Sequence, residues 1–289
     1  MQVLVLGGTG SIGSAIVQVL QERGHSVLAL GRSAEARGKL QRAGATAIDG
    51  DLREPLSWID AVEKADGIIH VAAVWGEEMG DVDREVVETL LRTLKFDTSS
   101  KPFIYTGGCW LYGQTGNTVA TEESPFKPLA SFAWSIPTIR IVLSASCVRG
   151  MVIHPAMVYE RDGGVFEGFI DDAKQLGYVR VIGGEDVRWP LVHRTDLAQL
   201  YALMLEKGRE GDVYNASAVD GVSIGAIART IAKRLGVNPD PVAWDLQAAK
   251  SAIGHLAAGY ALDQQMSGKK AMEQLGWRPK HTDVIADIA

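Results

Sequence analysis

Residues 3–13 read VLVLGGTGSIG, and this stretch decides the fold. Its first four residues are branched or aliphatic, which is typical of a strand buried on both faces, and apolar residues at helical spacing follow its last glycine. Gly7, Gly10 and Gly13 stand between these two patterns, where glycine permits a tight turn and lets backbone N–H groups approach a pyrophosphate. The stretch therefore predicts a strand, a turn and a helix that together bind a dinucleotide.

Strands and helices alternate through the first half of the chain. Short apolar runs predict five further strands, at 27–30, 45–48, 67–72, 102–106 and 151–154, and polar helical segments such as 33–41 separate them. Strict alternation of this kind predicts an α/β protein with a Rossmann-type, doubly wound parallel sheet.

The pattern loosens after about residue 155. Helices are expected at 165–176, 195–206 and 223–235, and a strand is expected at 179–182. We therefore predict a dinucleotide-binding domain over 1–155, to which segments near 185–205 return, and a smaller C-terminal α+β substrate-binding cap formed mainly by 156–289.

Composition excludes several classes of partner. The 289 residues include 29 basic and 35 acidic side chains, a net charge of −6, without a cluster of Lys or Arg for nucleic acid or an anionic membrane. The two cysteines, Cys109 and Cys147, form no CxxC pair, and no metal-ligand spacing occurs, so neither a disulfide framework nor a metal site is expected. With no visible export signal or membrane span, a cytoplasmic location is predicted.

The end of the second predicted strand indicates which dinucleotide is preferred. Sites that prefer NAD usually place an acidic residue there for the ribose 2′-hydroxyl, but this sequence has Gly31, Arg32 and Ser33. Arg32 can pair with a 2′-phosphate and Ser33 can donate to it, which favours NADP(H) over NAD(H). The alternative is that Arg32 is a solvated residue at a helix start.

With these residues in place, the chain resembles the extended short-chain dehydrogenase/reductase family, in particular its NAD-dependent epimerase/dehydratase group. Besides the glycine turn, the resemblance rests on GDL at 50–52, HVAA at 70–73, LYG at 111–113, HPAMVY at 154–159, WPLVHRTDLA at 189–198 and LGWRP at 275–279. It implies that the cofactor lies against a set of residues spread over these motifs: Gly7, Thr9, Gly10, Ser11, Ile12, Gly13, Asp51, Leu52, Ala72, Ala73, Thr106, Pro155 and Val158.

The catalytic part of the resemblance is incomplete. The family uses a Tyr and a Lys four residues later, the ammonium lowering the pKa of the phenol. Residues 131–143 read SFAWSIPTIRIVL, which puts Trp134 and Thr138 at the corresponding positions. Pro137 suits only the first turn of a helix, so the helix is expected to begin there with Ser135 or Ile136 as its cap. Thr106 either replaces the family's hydroxyl or caps its strand.

Other side chains are candidates for the missing chemistry. Tyr112, Tyr159 and His193 are candidate proton donors or acceptors, although packing and structural hydrogen bonds explain them as well. Candidate substrate-pocket residues are Trp75, Cys109, Trp110, Trp134, Met157 and Trp189, for which core packing is the alternative. His154 is expected to be a hydrogen-bonded structural histidine, and the carboxylate pairs Glu122/Glu123 and Asp171/Asp172 are expected to be solvated.

These observations lead to one favoured function and two alternatives. The favoured function is an NADP(H)-binding oxidoreductase that transfers hydride to or from a small, partly apolar metabolite. The alternatives are a catalytically silent NAD(P) redox sensor and a non-redox isomerase or cyclase on the same fold. A homodimer through helices at 82–94 and 137–148 is also open, because burial of these helices against their own sheet explains their apolar residues equally well.

Overall fold

The computed structural model describes residues 1–289. Contacts divide the chain into two compact units, each assembled from three separate segments. Unit 1 comprises residues 1–107, 134–153 and 197–214, and unit 2 comprises residues 108–133, 154–196 and 215–289.

Helices and strands alternate along the first half as expected. The first elements are β1 (Gln2–Leu6), α1 (Ser11–Glu22), β2 (Ser26–Gly31), α2 (Ala34–Arg42), β3 (Thr46–Asp49), α3 (Asp60–Lys64), β4 (Gly67–His70), α4 (Met79–Thr93), β5 (Pro102–Thr106), α5 (Ser135–Ser144) and β6 (Arg149–Pro155). They are followed by β7 (Met157–Glu160), β8 (Gly163–Gly164), α6 (Glu167–Leu176), β9 (Arg180–Ile182), β10 (Arg188–His193), α7 (Arg194–Lys207), β11 (Val213–Ala216), β12 (Val219–Ser223), α8 (Ile224–Arg234), β13 (Val242–Trp244), α9 (Leu246–Ile253), α10 (Leu256–Tyr260), α11 (Lys269–Leu275) and α12 (Val284–Ile288).

Unit 1 is built on a seven-stranded sheet of order β11-β6-β5-β4-β1-β2-β3. The pairs from β3 to β6 are parallel, and Val3, Leu4, Val5 and Leu6 of β1 are fully buried because helices cover both faces. The strand order reverses direction at β1, whose neighbours are β2 and β4. Ligands of such sheets bind at the carboxyl ends of the strands at this switch point. The predicted Rossmann-type fold is confirmed.

Most boundaries differ from the sequence prediction by one or two residues, and two of the differences bear on candidate site residues. The strand expected over 67–72 ends at His70, although the Val71 N–H still donates to the Leu6 carbonyl at 3.0 Å. Helix α5 spans Ser135–Ser144 rather than 137–148, and Trp134 occupies its capping position, so the prediction of Ser135 or Ile136 as the cap is wrong. Pro137 does lie in the first turn, where its missing N–H costs no hydrogen bond.

Unit 2 contains two smaller sheets. One has the order β12-β10-β7-β8, with β10 parallel to β7 and antiparallel to β12, and the other pairs β9 with β13. Helix α8 buries one apolar stripe that includes Ile224, Ile227 and Ile231. None of the helices in either unit is both long enough and apolar enough to cross a membrane.

Candidate functional site

The glycine turn of unit 1 is shaped so that side chains do not fit. Gly7 has a φ of 97°, and a Cβ there would lie 2.8 Å from the Ala72 backbone. A Cβ on Gly13 would lie 2.0 Å from the Gly7 carbonyl oxygen, whereas a Cβ on Gly10 would meet only that oxygen at 3.5 Å. Gly7 and Gly13 are therefore fixed by the fold, and the space beside Gly10 is open.

The first turn of α1 presents unsatisfied donors beside this open space. Its first intrahelical bond runs from the Ser14 N–H to the Gly10 carbonyl, so the N–H groups of Ser11, Ile12 and Gly13 have no acceptor inside the helix. No side chain caps this end and no acidic residue lies in the first turn. Thr9 is exposed in the same turn. Free N–H groups at a positive helix end, beside room for a close approach, fit a pyrophosphate.

The end of β2 carries an exposed guanidinium and no carboxylate. The Arg32 side chain is 71% exposed, and its Nε lies 3.9 Å from Asp51 Oδ2. The Ser33 hydroxyl accepts a hydrogen bond from the Ala36 N–H and so caps α2. Arg37, in the first turn of α2, is held by Asp49 and the Gly31 carbonyl. Arg32 is thus the guanidinium that remains available to a ligand here.

The turn after β3 is held by its own hydrogen bonds. Asp51 Oδ1 accepts from the Arg53 N–H at 3.0 Å, and the Trp58 indole donates to the Asp51 carbonyl at 2.8 Å. Leu52 lies in this turn and is partly exposed. Asp51 and Leu52, both predicted to lie against the cofactor, therefore have a defined backbone.

Residues that follow β4 and β5 lie near the same edge of the sheet. Ala72 lies against Gly7 and is partly exposed, and Ala73, which follows it, is exposed. The Thr106 hydroxyl donates to the His70 carbonyl at 2.7 Å and lies 2.7 Å from the Tyr201 hydroxyl. Thr106, predicted either to cap its strand or to replace the family's hydroxyl, therefore links the carboxyl ends of β4 and β5.

A buried polar cluster in unit 1 was not predicted from the sequence. The Tyr105 hydroxyl donates to Asp83 Oδ2 at 2.7 Å, and His70 Nε2 lies 3.2 Å from Asp83 Oδ1, off the line of a hydrogen bond. Thr138, one of the positions compared with the family motif, is also buried, and burial together with Asp83 raises the pKa of Tyr105. A histidine inside an apolar strand was the available signal.

The two tryptophans predicted for a pocket in unit 1 have different settings. Trp75 follows β4 and is 71% exposed. Trp134 precedes α5 and lies close to α4, since a Cβ added to Gly80 of α4 would be 3.1 Å from the Trp134 Cβ. Trp134 therefore packs between the ends of two helices, while Trp75 projects into solvent.

Tyr112, Cys109 and His154 come together in the interior of unit 2. The Tyr112 hydroxyl donates to Asn215 Oδ1 at 2.7 Å, and its ring lies edge-on to His154. His154 Nδ1 accepts from the Gly108 N–H at 3.3 Å, and burial lowers the pKa of His154 to about 4. Burial also raises the pKa of the Cys109 thiol to about 12, which leaves it protonated and unreactive as a nucleophile.

Tyr159 and His193 meet on neighbouring strands of unit 2. Their rings lie 5.3 Å apart, the Tyr159 hydroxyl donates to Asp287 at 2.7 Å, and the His193 ring stacks on His281 at 3.8 Å. Burial, with His281 as a second cause, lowers the pKa of His193. The three predicted catalytic side chains therefore form two separate groups.

The remaining predicted residues in this part of unit 2 are structural neighbours of these groups. Met157 Sδ lies 3.7 Å from Cys109 Sγ, Val158 pairs with Val192, and Pro155 is the buried last residue of β6. The expectation of solvated carboxylate pairs is wrong for one member of each pair. Glu122 accepts from the Asn215 N–H at 2.8 Å, and Asp172 is buried and binds Arg180.

A row of aromatic rings also crosses unit 2. Trp189 stacks on Phe169 and contacts Tyr260, which contacts Trp110, and Trp110 packs on Phe132 at 4.5 Å. Tyr260 was missed by sequence reasoning because nothing near it matches a motif. Its hydroxyl makes no hydrogen bond, and burial raises its pKa, so the phenol keeps its proton.

Comparison with known proteins places this geometry in a family. Residues 3–217 match the NAD dependent epimerase/dehydratase family. The chain belongs to this family. An uncharacterized protein of Schizosaccharomyces pombe is 31% identical over 295 residues, covering 100% of this chain and 98% of its own length. The UDP-glucose 4-epimerase of Corynebacterium glutamicum is 22% identical over 315 residues, covering 98% of this chain and 92% of its own.

Solved structures have the same fold. A human epimerase family protein solved with NADPH aligns with a TM-score of 0.80 at 21% identity, covering 100% of this chain and 98% of that one. The dTDP-glucose 4,6-dehydratase of Bacillus anthracis in complex with NAD aligns with a TM-score of 0.81 at 18% identity, covering 100% and 95%.

This epimerase/dehydratase family member lacks the paired Tyr and Lys. None of its seven tyrosines is followed by a lysine four residues later. No group of three or more His, Cys, Asp or Glu side chains is arranged to hold a metal ion. The residues that fit the cofactor are therefore better defined than those that would move a proton.

Proposed function

We propose that the protein is an NADP(H)-dependent oxidoreductase that transfers hydride to or from a carbonyl, imine or alkene of a small, partly apolar metabolite. The observation that carries the proposal is the crowded glycine turn, with three free N–H groups at the start of α1. The exposed Arg32, with no carboxylate at residues 31–33, supports the choice of NADP(H).

The chain's own groups would bind and orient the cofactor. The N–H groups of Ser11, Ile12 and Gly13 would donate to the pyrophosphate, and Arg32 would pair with the 2′-phosphate. The nicotinamide, when bound, supplies or accepts the hydride. Positioning of the cofactor and substrate can lower the activation barrier for hydride transfer by several kcal/mol. In well-oriented systems this effect reaches roughly 7 kcal/mol or more.

Tyr260 is the proposed hydrogen-bond donor to the substrate oxygen. Its phenol is protonated, free of partners and flanked by the rings of Trp110 and Trp189, which would contact an apolar substrate body. Tyr112 and Tyr159 are less suitable because their hydroxyls already donate to Asn215 and Asp287.

The first test is coenzyme binding followed by turnover. Equilibrium dialysis should show retention of NADPH more tightly than NADH, and absorbance of the reduced nicotinamide should change with some member of a panel of apolar aldehydes, ketones and enones. Tyr260→Phe should lower kcat while leaving NADPH affinity unchanged, and Tyr178→Phe is the control because Tyr178 lies outside the row of aromatic rings. Folded protein that retains neither coenzyme would exclude the proposal.

A second candidate function is a redox sensor that binds the dinucleotide without turnover. It is favoured by the absence of a Tyr and Lys pair and by the engagement of Tyr112 and Tyr159 in internal hydrogen bonds. Calorimetry of NADPH against NADP distinguishes the two functions. A sensor should prefer one redox state strongly and show no change in nicotinamide absorbance with any substrate of the panel.

A further inference from the structure

A cavity lies at the edge of the unit 1 sheet opposite the glycine turn. It has a volume of about 530 Å³, and its lining includes Asp66, Asp97, Ser100, Lys101 and Arg149. Asp66 and Lys101 directly precede β4 and β5, and Arg149 begins β6; these three strands are adjacent in the sheet. Because the strands are parallel, their amino ends meet here, about 16 Å from their carboxyl ends at about 3.3 Å per residue.

Lys101 and Asp97 neutralise each other at one wall of this cavity. Lys101 Nζ lies 3.2 Å from Asp97 Oδ2 and donates to the Glu63 carbonyl at 2.9 Å and the Val62 carbonyl at 3.4 Å, which occupies its three donors. Asp97 also accepts from the Ser99 side chain and N–H, and these bonds lower the pKa of Asp97 to about 2. Neither group needs an external partner.

Arg149 has no such compensation. Its Nη2 donates to the Leu205 carbonyl at 3.0 Å, its Nε is buried without a partner, and its guanidinium forms no ion pair with a carboxylate. A partly buried guanidinium with an unsatisfied N–H is costly, since such groups are normally paired. Because Arg149 lines the cavity, the part of its guanidinium that faces the cavity is suited to receive an anion.

Asp66 supplies an uncompensated negative charge in the same cavity. Its Oδ2 accepts from the Gln2 N–H at 2.7 Å, and no cationic side chain lies within ion-pair distance of its carboxylate. The cavity thus presents one unpaired positive and one unpaired negative group that do not reach each other. Phosphate would be repelled by the unpaired carboxylate of Asp66, whereas an ammonium on the ligand would be attracted.

The loop beside this cavity has an unusual backbone. Ser100 is the single residue other than glycine with a positive φ, 51°. Non-glycine residues in this region are strained by roughly 1 kcal/mol or more and occur preferentially at ligand sites. The strain lies between Asp97 and Lys101, so the loop is held in a particular shape at the cavity wall.

We propose that this cavity binds a small amino acid, with its carboxylate on Arg149 and its ammonium on Asp66. The volume lies within the range of small-molecule sites, and the two unpaired charges match a zwitterion rather than a simple anion. This site is separate from the dinucleotide site and does not depend on the proposed oxidoreductase activity.

Isothermal titration calorimetry of the full chain at low salt tests the proposal. The probes are glycine, β-alanine, 4-aminobutyrate and 6-aminohexanoate, which increase the distance between the two charges, with butyrate, butylamine and inorganic phosphate as single-charge controls. At least one amino acid should bind roughly tenfold more tightly than each control, because it can form one charged hydrogen bond more than a ligand with a single charge. No binding by any amino acid, or tighter binding by phosphate or butyrate, would overturn the proposal.

Two substitutions locate the binding. Arg149→Gln and Asp66→Asn should each weaken the best amino acid roughly tenfold, and Asp66→Asn should not weaken butyrate. Arg140→Gln, an exposed arginine on α5 outside the cavity, is the matched control and should bind like the wild type. Asp66 is exposed, so its variant keeps the test valid even if Arg149→Gln fails to fold. Unchanged affinity in Asp66→Asn would contradict the assignment.

Discussion

The glycine turn of unit 1 and the polar interior of unit 2 differ in what determines them. The turn acts through backbone: Gly7 and Gly13 have no room for a Cβ, and the donors are main-chain N–H groups. In unit 2, Tyr112 and His154 act through side chains whose partners lie far away in the sequence. Backbone sites can be recognised from residue type and spacing, whereas side-chain chemistry depends on partners that the fold selects.

The largest effect is expected from filling the glycine turn. Gly13→Ala places a Cβ 2.0 Å from the Gly7 carbonyl oxygen, so backbone must move. We expect a loss of more than about 3 kcal/mol in the free energy of unfolding, at the upper end of overpacking costs, together with loss of coenzyme binding. Urea denaturation and equilibrium dialysis measure the two effects.

Gly10→Ala is the control for this substitution. Its Cβ would make an ordinary contact of 3.5 Å, so stability should stay close to that of the wild type while the open space for the pyrophosphate shrinks and coenzyme binding weakens. If both alanine variants were equally stable, steric crowding would not explain the turn.

The free energy of unfolding should depend on pH because His154 is buried in the interior of unit 2. Burial holds the pKa of His154 at about 4, below its unfolded value of about 6.5, so the folded state disfavours the protonated ring. The neutral His154 ring therefore makes its full contribution to the free energy of unfolding above pH 6.5. This contribution is lost as the pH falls towards 4, by about 3 kcal/mol in total. His154→Gln should flatten the stability profile over this interval, as measured by urea denaturation at several pH values. Parallel profiles would contradict this interpretation.

A substitution in the buried polar cluster of unit 1 tests whether side-chain hydrogen bonds also contribute to the stability of this unit. Tyr105→Phe removes the hydroxyl that donates to Asp83 and leaves a buried carboxylate oxygen without its partner. The free energy of unfolding should fall by about 2 kcal/mol. Tyr178→Phe removes a hydroxyl outside this cluster and should change it by less than about 0.5 kcal/mol.

Arg32 tests the side-chain part of the dinucleotide site. Arg32→Ala should weaken NADPH binding about tenfold and NADH binding much less, because only NADPH carries the 2′-phosphate. Arg42→Ala, at the other end of α2, is the matched control. Equal losses for both coenzymes in Arg32→Ala would assign the preference to another group.

The smallest effect is expected at Cys109. Its thiol is buried and its pKa is raised to about 12, so Cys109→Ala should retain coenzyme binding and iodoacetamide should modify Cys147 first. Peptide mapping after partial alkylation measures the order. Faster modification of Cys109 would show that the interior of unit 2 opens to solvent.

Sequence reasoning captured the fold because apolar runs and glycines report local backbone requirements. The strands of unit 1 and the glycine turn follow from residues that are neighbours in the chain. The cap of α5 was misplaced because Trp134 is not a residue type that favours that position. Asp83, Tyr260 and Arg149 were missed because their surroundings are assembled from several segments. The substrate contacts of the candidate pocket residues stay predictions.

The interleaved assembly of the two units has a consequence for synthesis. The chain passes from one unit to the other after residues 107, 133, 153, 196 and 214, so neither unit is a continuous stretch. A nascent chain cannot complete unit 1 until residue 214 of 289 has left the ribosome. An N-terminal fragment that stops near residue 155 would lack α7 and β11, so truncation is a poor route to an isolated coenzyme-binding module.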